Sequence, residues 1–218
     1  MKKLNQYFDH TILKPEATEE DVIKLCQEAK EYGFYAVCVN SCYVPLAKKE
    51  LEGSDVKIAS VIGFPLGACS SDVKAYETDW ACNEGADEID MVIHVGALKE
   101  KRYEYVRDDI NIVVAIADEH DAIVKVILET CLLTDDEIVK ACELAGEAGA
   151  AFVKTSTGFS KSGATAHHVS LMKKTVGDSM EVKASGGIRD LKTTMEMIEA
   201  GADRIGASAS VQIMKESQ

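Results

Sequence analysis

None of the apolar runs in this 218-residue chain approaches the roughly 18–20 residues that a membrane-crossing helix requires. The opening stretch MKKLNQYFDHTIL has two lysines but neither a sustained apolar core nor a small-residue cleavage site, so it does not read as a secretory signal. No C-x-x-C pair occurs among the seven cysteines (Cys26, Cys38, Cys42, Cys69, Cys82, Cys131, Cys142), whose number is odd. Most sit inside apolar periodic segments, where free cysteine behaves as a small hydrophobe, and a reducing cytoplasm is the expected setting. Positive charge is also scarce: 24 Lys and Arg stand against 37 Asp and Glu, a formal net charge of −13. Nucleic acid and anionic membranes reward a basic surface, so neither is an expected partner. A small phosphate remains compatible, provided that its local site is cationic or rich in backbone N–H groups.

What is present is an ordinary globular balance, 46% hydrophobic and 28% charged. No linker, low-complexity tract or composition break interrupts it, so one domain over residues 1–218 is expected. A junction recurs along the chain: KEYGFYAVCVN at Gly33, CNEGADEIDMVIHV at Gly85, GEAGAAFVKTS at Gly149 and IEAGADRIGAS at Gly201. Each time an amphipathic segment ends in glycine and a short β-rich run begins two residues later. Glycine just past a helix takes φ > 0 without steric cost and closes the last turn. Weaker versions precede VKIASVIGF and MEVKASG, and EHDA stands in for the glycine before IVKVILE. Thr18-x-x-Asp21 and Thr134-x-x-Glu137 have the form of capping boxes at helix starts. With FDHTIL, the strand candidates number eight, spaced roughly 25–30 residues apart and alternating with helices; this predicts an α/β fold, a (β/α)8 TIM barrel, rather than an open doubly wound sheet.

Three of these strands carry a lysine in apolar context: Lys125 in IVKVI, Lys154 in FVKTS and Lys183 in EVKAS, 29 residues apart in each case. Alternate residues of a barrel strand point inward, so the three are expected to converge in the lumen at corresponding heights. A single strand lysine reads most simply as a long stem with its ammonium in solvent. Three on successive strands weaken that reading, because desolvation and neighbouring cations lower lysine pKa and favour the neutral amine that attacks carbonyls. Asp90 in EIDMVI is either a structural carboxylate or, in the same lumen, a proton relay. Amine, second cation and carboxylate together suit a carbon–carbon lyase that needs no metal. The runs Thr155-Ser156-Thr157-Gly158, Gly186-Gly187, and Gly206 with Ser208 end the last three strands, where barrels often hold phosphate on backbone N–H groups.

The stretches FDHTILKPEAT, VCVN, VIGFPLGA, EIDMVI, GALK, KVILET, FVKTSTGF, VKASGGIR and RIGAS, in that order from about Phe8 to Ser208, resemble the short bacterial form of the deoxyribose-phosphate aldolase family. The resemblance implies a class I aldolase that reversibly cleaves 2-deoxy-D-ribose 5-phosphate to D-glyceraldehyde 3-phosphate and acetaldehyde, without metal or other cofactor. It implies Lys154 as the Schiff-base lysine, Lys183 as the cation that depresses its pKa, and Asp90 as proton donor and acceptor. It places substrate contacts at Asp9, Thr11, Cys38, Thr157 and Gly158, and phosphate contacts at Gly186, Gly187, Gly206 and Ser208. A homodimer is the assembly it suggests.

Three departures from the family pattern stand out. His94 replaces the usual Asn after EIDMVI and is read as tolerated rather than as a hydrogen-bonding group. Ser41-Cys42 replaces Pro-Ser after VCVN, with an expected effect on the loop or on reactivity toward aldehydes near Cys38. The given sequence ends at Gln218 without the tail tyrosine that assists proton transfer in some relatives, so a slower step, or one managed without it, is expected. Competing readings are another Schiff-base aldolase, such as a transaldolase or hexose-bisphosphate aldolase, and a barrel that binds sugar phosphate without turnover. The adjacent pair His167-His168 invites a metal reading, but the two project about 100° apart on a helix and the sequence offers no third ligand.

Overall fold

A computed structural model describes residues 2–218. Its strands are β1 (Phe8–Thr11), β2 (Ala36–Asn40), β3 (Lys57–Ile62), β4 (Glu88–Val92), β5 (Ile123–Ile127), β6 (Phe152–Lys154), β7 (Glu181–Ser185) and β8 (Arg204–Ala207). Around them run helices α1 (Glu19–Tyr32), α2 (Val44–Glu50), α3 (Ser71–Asn83), α4 (Val95–Lys99), α5 (Tyr103–Glu119), α6 (Asp135–Glu147), α7 (Ala166–Val176), α8 (Leu191–Glu199) and α9 (Ser210–Glu216). All strand pairs are parallel, and β8 pairs with β1 to close the barrel. This is the (β/α)8 TIM barrel that the repeating junction predicts.

The local signals act as expected. Thr18 and Thr134 each close a reciprocal capping box, with Asp21 and Glu137 respectively. The junction glycines Gly33, Gly85, Gly149 and Gly201 all have positive φ, between 64° and 110°. Where EHDA replaces glycine, Asp121 takes φ 57°, a conformation a short polar side chain tolerates better than most.

The strands are less uniformly apolar than their sequence suggests. Outward residues such as Val37, Ile89, Val124, Val126, Val153, Val182 and Ile205 are buried with the inner faces of the helices in one core cluster. Each large aliphatic side chain so buried stabilises the fold by about 1.5–3 kcal/mol. The intervening residues turn inward, where a small apolar group (Cys38, Ala59 and Val61 with Leu13) fills one side and charged side chains fill the rest. The barrel register sets their heights. Lys154 pairs with Lys183, but Lys125 pairs with Phe152, two residues below Lys154. The expectation that all three lysines share one height is corrected: a closed barrel staggers its strands, so equal sequence spacing does not guarantee equal level.

Candidate active site

Period-two alternation delivers Asp9 from β1, Glu88 and Asp90 from β4, Lys125 from β5, Lys154 from β6, Lys183 from β7 and Arg204 from β8 into one buried network. Lys125 Nζ lies 2.6 Å from Glu88 Oε2 and 2.7 Å from Asp90 Oδ1. Asp90 Oδ2 accepts from Lys154 Nζ at 2.7 Å and from Lys183 Nζ at 2.8 Å. Lys183 also donates to Asp9, whose other oxygen accepts from Arg204 Nη1 at 2.8 Å. Arg204 in turn reaches Glu88 and stacks its guanidinium over Tyr35, 3.7 Å from the ring centroid. Four cations are thus interleaved with three carboxylates.

That interleaving decides the protonation states. Burial opposes ionisation of Asp90, yet Lys125, Lys154 and Lys183 outweigh it and hold its carboxyl well below the ordinary range. Burial likewise opposes charge on Lys183, but Asp9 and Asp90 prevail and raise its pKa. Lys125 is raised for the same reason, against burial, by Asp90 and Glu88. For these two lysines the direction is opposite to the one that crowded cations imply, because carboxylates from β1 and β4 stand between them. Asp9 is lowered, with Lys183 and Arg204 overcoming its burial. Burial and the Asp90 charge push the Cys38 thiol up.

A cavity of about 460 Å³ opens above this network. Lys154 lines it, while Lys125 and Lys183 do not. Thr11, Thr157 and Gly158 border the same cavity, as do Gly186, Gly187, Gly206 and Ser208. Asp9 and Cys38 are off its wall: both are fully buried below, Asp9 in the ion network and Cys38 with its Sγ 3.9 Å from Asp90 Oδ2. Gly186 and Gly187 have φ of 83° and 79°. Close approach explains the neighbouring glycine, since a Cβ on Gly163 would meet Gly186 O at 1.9 Å. Gly206 has a second constraint, because its Cβ would lie 3.1 Å from Lys183 Cε.

Several residues escaped the sequence reading. Glu88 and Arg204 complete the ion network; their signal was the same alternation that gave Asp90, two residues beyond Glu88, and Gly206, two residues beyond Arg204. Glu129 is buried and accepts from the Thr157 backbone and hydroxyl. His94 has a defined role after all, since its Nδ1 accepts from Ala97 N at 3.1 Å and caps α4. Asp135 supplies the third potential ligand that His167 and His168 lacked in sequence. The trio is largely exposed, its candidate ligand atoms are spread over up to 4.8 Å, and His167 Nε2 is hydrogen-bonded to Asp135 Oδ2 at 2.7 Å. It also sits at the positive end of the α7 dipole, which disfavours a cation. Among the described residues, no helix is long and apolar enough to cross a membrane.

A sequence profile described as DeoC/LacD family aldolase matches residues 3–215. The chain is 61% identical over 216 residues to the deoxyribose-phosphate aldolase of Clostridium tetani, covering 99% of this chain and 100% of the relative. It is likewise 61% identical over 216 residues to that of Thermococcus kodakarensis, covering 98% and 96% respectively. The solved deoxyribose phosphate aldolase of Aeropyrum pernix, described as a unique tetramer, superposes with a TM-score of 0.93 at 37% identity, covering 98% of this chain and 90% of that one.

Proposed function

Since the chain belongs to the DeoC/LacD family of aldolases, we propose that its substrate pair is that of the relatives' name: it cleaves 2-deoxy-D-ribose 5-phosphate to D-glyceraldehyde 3-phosphate and acetaldehyde, and runs the reverse addition. Residues 1–218 act as one aldolase domain, and the chemistry is that of a Schiff base on lysine, without a metal. One observation carries the assignment of the nucleophile: of the three strand lysines, Lys154 alone lines the cavity.

The neutral Lys154 amine adds to the C1 aldehyde, and loss of water leaves a protonated imine. That imine accepts the electron pair of the C2–C3 bond as it breaks. The C3 hydroxyl gives up its proton and becomes the carbonyl of glyceraldehyde 3-phosphate, while C1 and C2 remain on the enzyme as an enamine. Protonation at C2 and hydrolysis then release acetaldehyde and regenerate the amine. Asp90 Oδ2 touches both lysine nitrogens, so it suits the exchange of protons between Lys154 and Lys183. Positioned acid–base groups of this kind contribute about 10²–10⁴-fold. Lys183, held charged, keeps a cation beside the nucleophile without competing for the aldehyde.

In the same reading the phosphate rests on the backbone at Gly186, Gly187, Gly206 and Ser208. Among the described residues, the N–H groups of Gly187 and Ser208 have no protein acceptor, which leaves them free for an anion. Thr11, Thr157 and Gly158 contact the sugar, whereas Asp9 and Cys38 act from below the wall, Asp9 through Lys183. The assembly suggested is a homodimer, and Leu66, Val73 and Tyr76 around the start of α3 are exposed apolar side chains of the kind that association covers.

Borohydride trapping tests the proposal. The protein is incubated with acetaldehyde or deoxyribose 5-phosphate, reduced, and the adduct mapped by mass spectrometry. A two-carbon adduct on Lys154 is expected; folded protein that yields no adduct with either compound overturns the reading in favour of a non-catalytic barrel.

A further inference from the structure

Glu129 occupies a position that ordinary backbone economy would give to glycine. Its φ and ψ are 58° and 59°, a left-handed conformation rare for residues with a long side chain. The chain on either side is tied to the edge of β6, through Leu128 N to Lys154 O and Thr130 N to Thr155 O, both 2.9 Å. A buried, left-handed glutamate beside a cavity is the kind of outlier that points to a job for its side chain. That side chain faces the adjoining loop. Its carboxylate accepts from Thr157 N at 3.3 Å and from the Thr157 hydroxyl, and Cys131 Sγ approaches its other oxygen at 3.8 Å.

The hydrogen bonds around Thr157 settle which way its hydroxyl can work. A carboxylate only accepts, so the single Thr157 hydroxyl proton points at Glu129. Phe159 N donates to the same Thr157 oxygen at 3.1 Å and occupies one of its two lone pairs. One lone pair is left, on a residue that lines the cavity. Its neighbour Gly158 abuts Gly186, with Gly158 Cα 3.4 Å from where a Gly186 Cβ would stand. Thr157 therefore sits between Lys154 and the glycine turn proposed to hold the phosphate.

We propose that Glu129 is a positioning residue that locks Thr157 as a hydrogen-bond acceptor, so that the cavity reads a substrate hydroxyl lying between the imine carbon and the phosphate. The inference rests on the proposed aldolase function. In the synthetic direction the hydroxyl in question is the one beside the aldehyde of glyceraldehyde 3-phosphate. Without Glu129 the Thr157 hydroxyl loses both its fixed orientation and the polarisation that the carboxylate gives its oxygen, and the preference for that hydroxyl falls.

The experiment measures kcat/KM for addition of acetaldehyde to D-glyceraldehyde 3-phosphate and to 3-phosphooxypropanal, which lacks the hydroxyl. In Glu129→Met the ratio of the two should fall about tenfold, the size of one lost hydrogen bond. Thr157→Val should lower the ratio similarly, and adding Glu129→Met to it should change the ratio by less than twofold, because residues acting through one group are non-additive. Equal loss on both acceptors, or independent effects in the double variant, overturns the inference. Should Glu129→Met fail to fold, Glu129→Asn, whose side chain tolerates the left-handed backbone but is too short to reach Thr157, carries the same expectation. Borohydride trapping of acetaldehyde needs no acceptor hydroxyl, so an unmodified Lys154 in the parent protein signals failure of the aldolase reading itself, whereas normal trapping with an unchanged ratio sinks only the role of Glu129.

Discussion

Lys154 and Lys183 face each other as register partners on neighbouring strands and donate to the same oxygen of Asp90, at 2.7 and 2.8 Å. Only one of them reaches the cavity. The pair is therefore asymmetric by position alone: one nitrogen borders the cavity and the other is enclosed between Asp9 and Asp90 beneath it.

Lys154→Ala should abolish both turnover and borohydride trapping. Lys183→Leu should leave a reachable Lys154 but cripple turnover, by at least about 10²-fold if its proton-transfer role is lost. Rates measured by coupled detection of glyceraldehyde 3-phosphate separate the two variants from the parent; full activity of Lys154→Ala would defeat the mechanism.

The ion network predicts an acid limb in stability. Asp9 has a depressed folded-state pKa, so its contribution is complete above the unfolded value, about 3.9, and is lost as pH falls toward the folded one. Breaking a buried pair costs about 3–5 kcal/mol, and Asp9→Asn should show that deficit in urea denaturation from about pH 5 to pH 8. Below about pH 4 the gap between parent and variant should narrow. A gap that widens on acidification contradicts the assignment. Lys183, whose pKa is raised, gives the mirror case: its contribution is complete below about pH 10 and fades only as pH climbs toward the folded-state value.

Two glycines, Gly206 on the cavity wall and Gly163 packed against Gly186, should fail in different ways. An alanine at Gly163 would collide with the Gly186 carbonyl and displace the proposed phosphate turn. Gly163→Ala should therefore raise KM for deoxyribose 5-phosphate about tenfold or more while unphosphorylated deoxyribose is little affected. Gly206→Ala would press on Lys183 Cε, so its main loss should be in kcat, for both compounds. Steady-state kinetics on the two sugars decide; a pure KM effect in Gly206→Ala would return that residue to phosphate binding alone.

His94→Ala removes the side chain that caps α4. Lost caps cost about 0.5–2 kcal/mol, so the thermal midpoint should drop while kcat/KM stays within about twofold. A large catalytic defect at unchanged stability would mean that His94 serves the site instead.

Exhaustive dialysis against a chelator should leave cleavage activity intact, because the electron sink is an imine and the Asp135, His167 and His168 trio lies outside the cavity lining. Activity lost on dialysis and restored by added zinc would count against the lysine mechanism.

The barrel was legible because its local rules are repeated: glycine at the helix ends, capping threonines, and short β-rich runs spaced by one βα unit. The lysines were legible for a different reason, being costly residues in places that should be apolar. Glu88 and Arg204 lie at the ends of their strands, where a charged residue reads as a solvated terminus; only closure of the barrel turns them inward. Glu129 lies past the end of β5 and contacts a loop 28 residues away, a relation no local pattern encodes. The heights of the lysines depended on register, which spacing alone does not fix. His94 was misjudged because a ring nitrogen capping a helix is chosen by the path of the loop, not by residue type.

The separation of an apolar shell outside the strands from a charged lumen inside them has a consequence for how such a chain can change over generations. The greasy packing between strands and helices can drift, one aliphatic residue exchanged for another of like volume, with modest effects that the rest of the shell absorbs. The lumen has no such freedom: each carboxylate there is shared by two or more cations, so altering one member unsettles the protonation of the others. Variation should accordingly gather in the outer layer, and a lineage acquiring a new aldehyde preference should do so through the loops above the lumen before it touches the charges below.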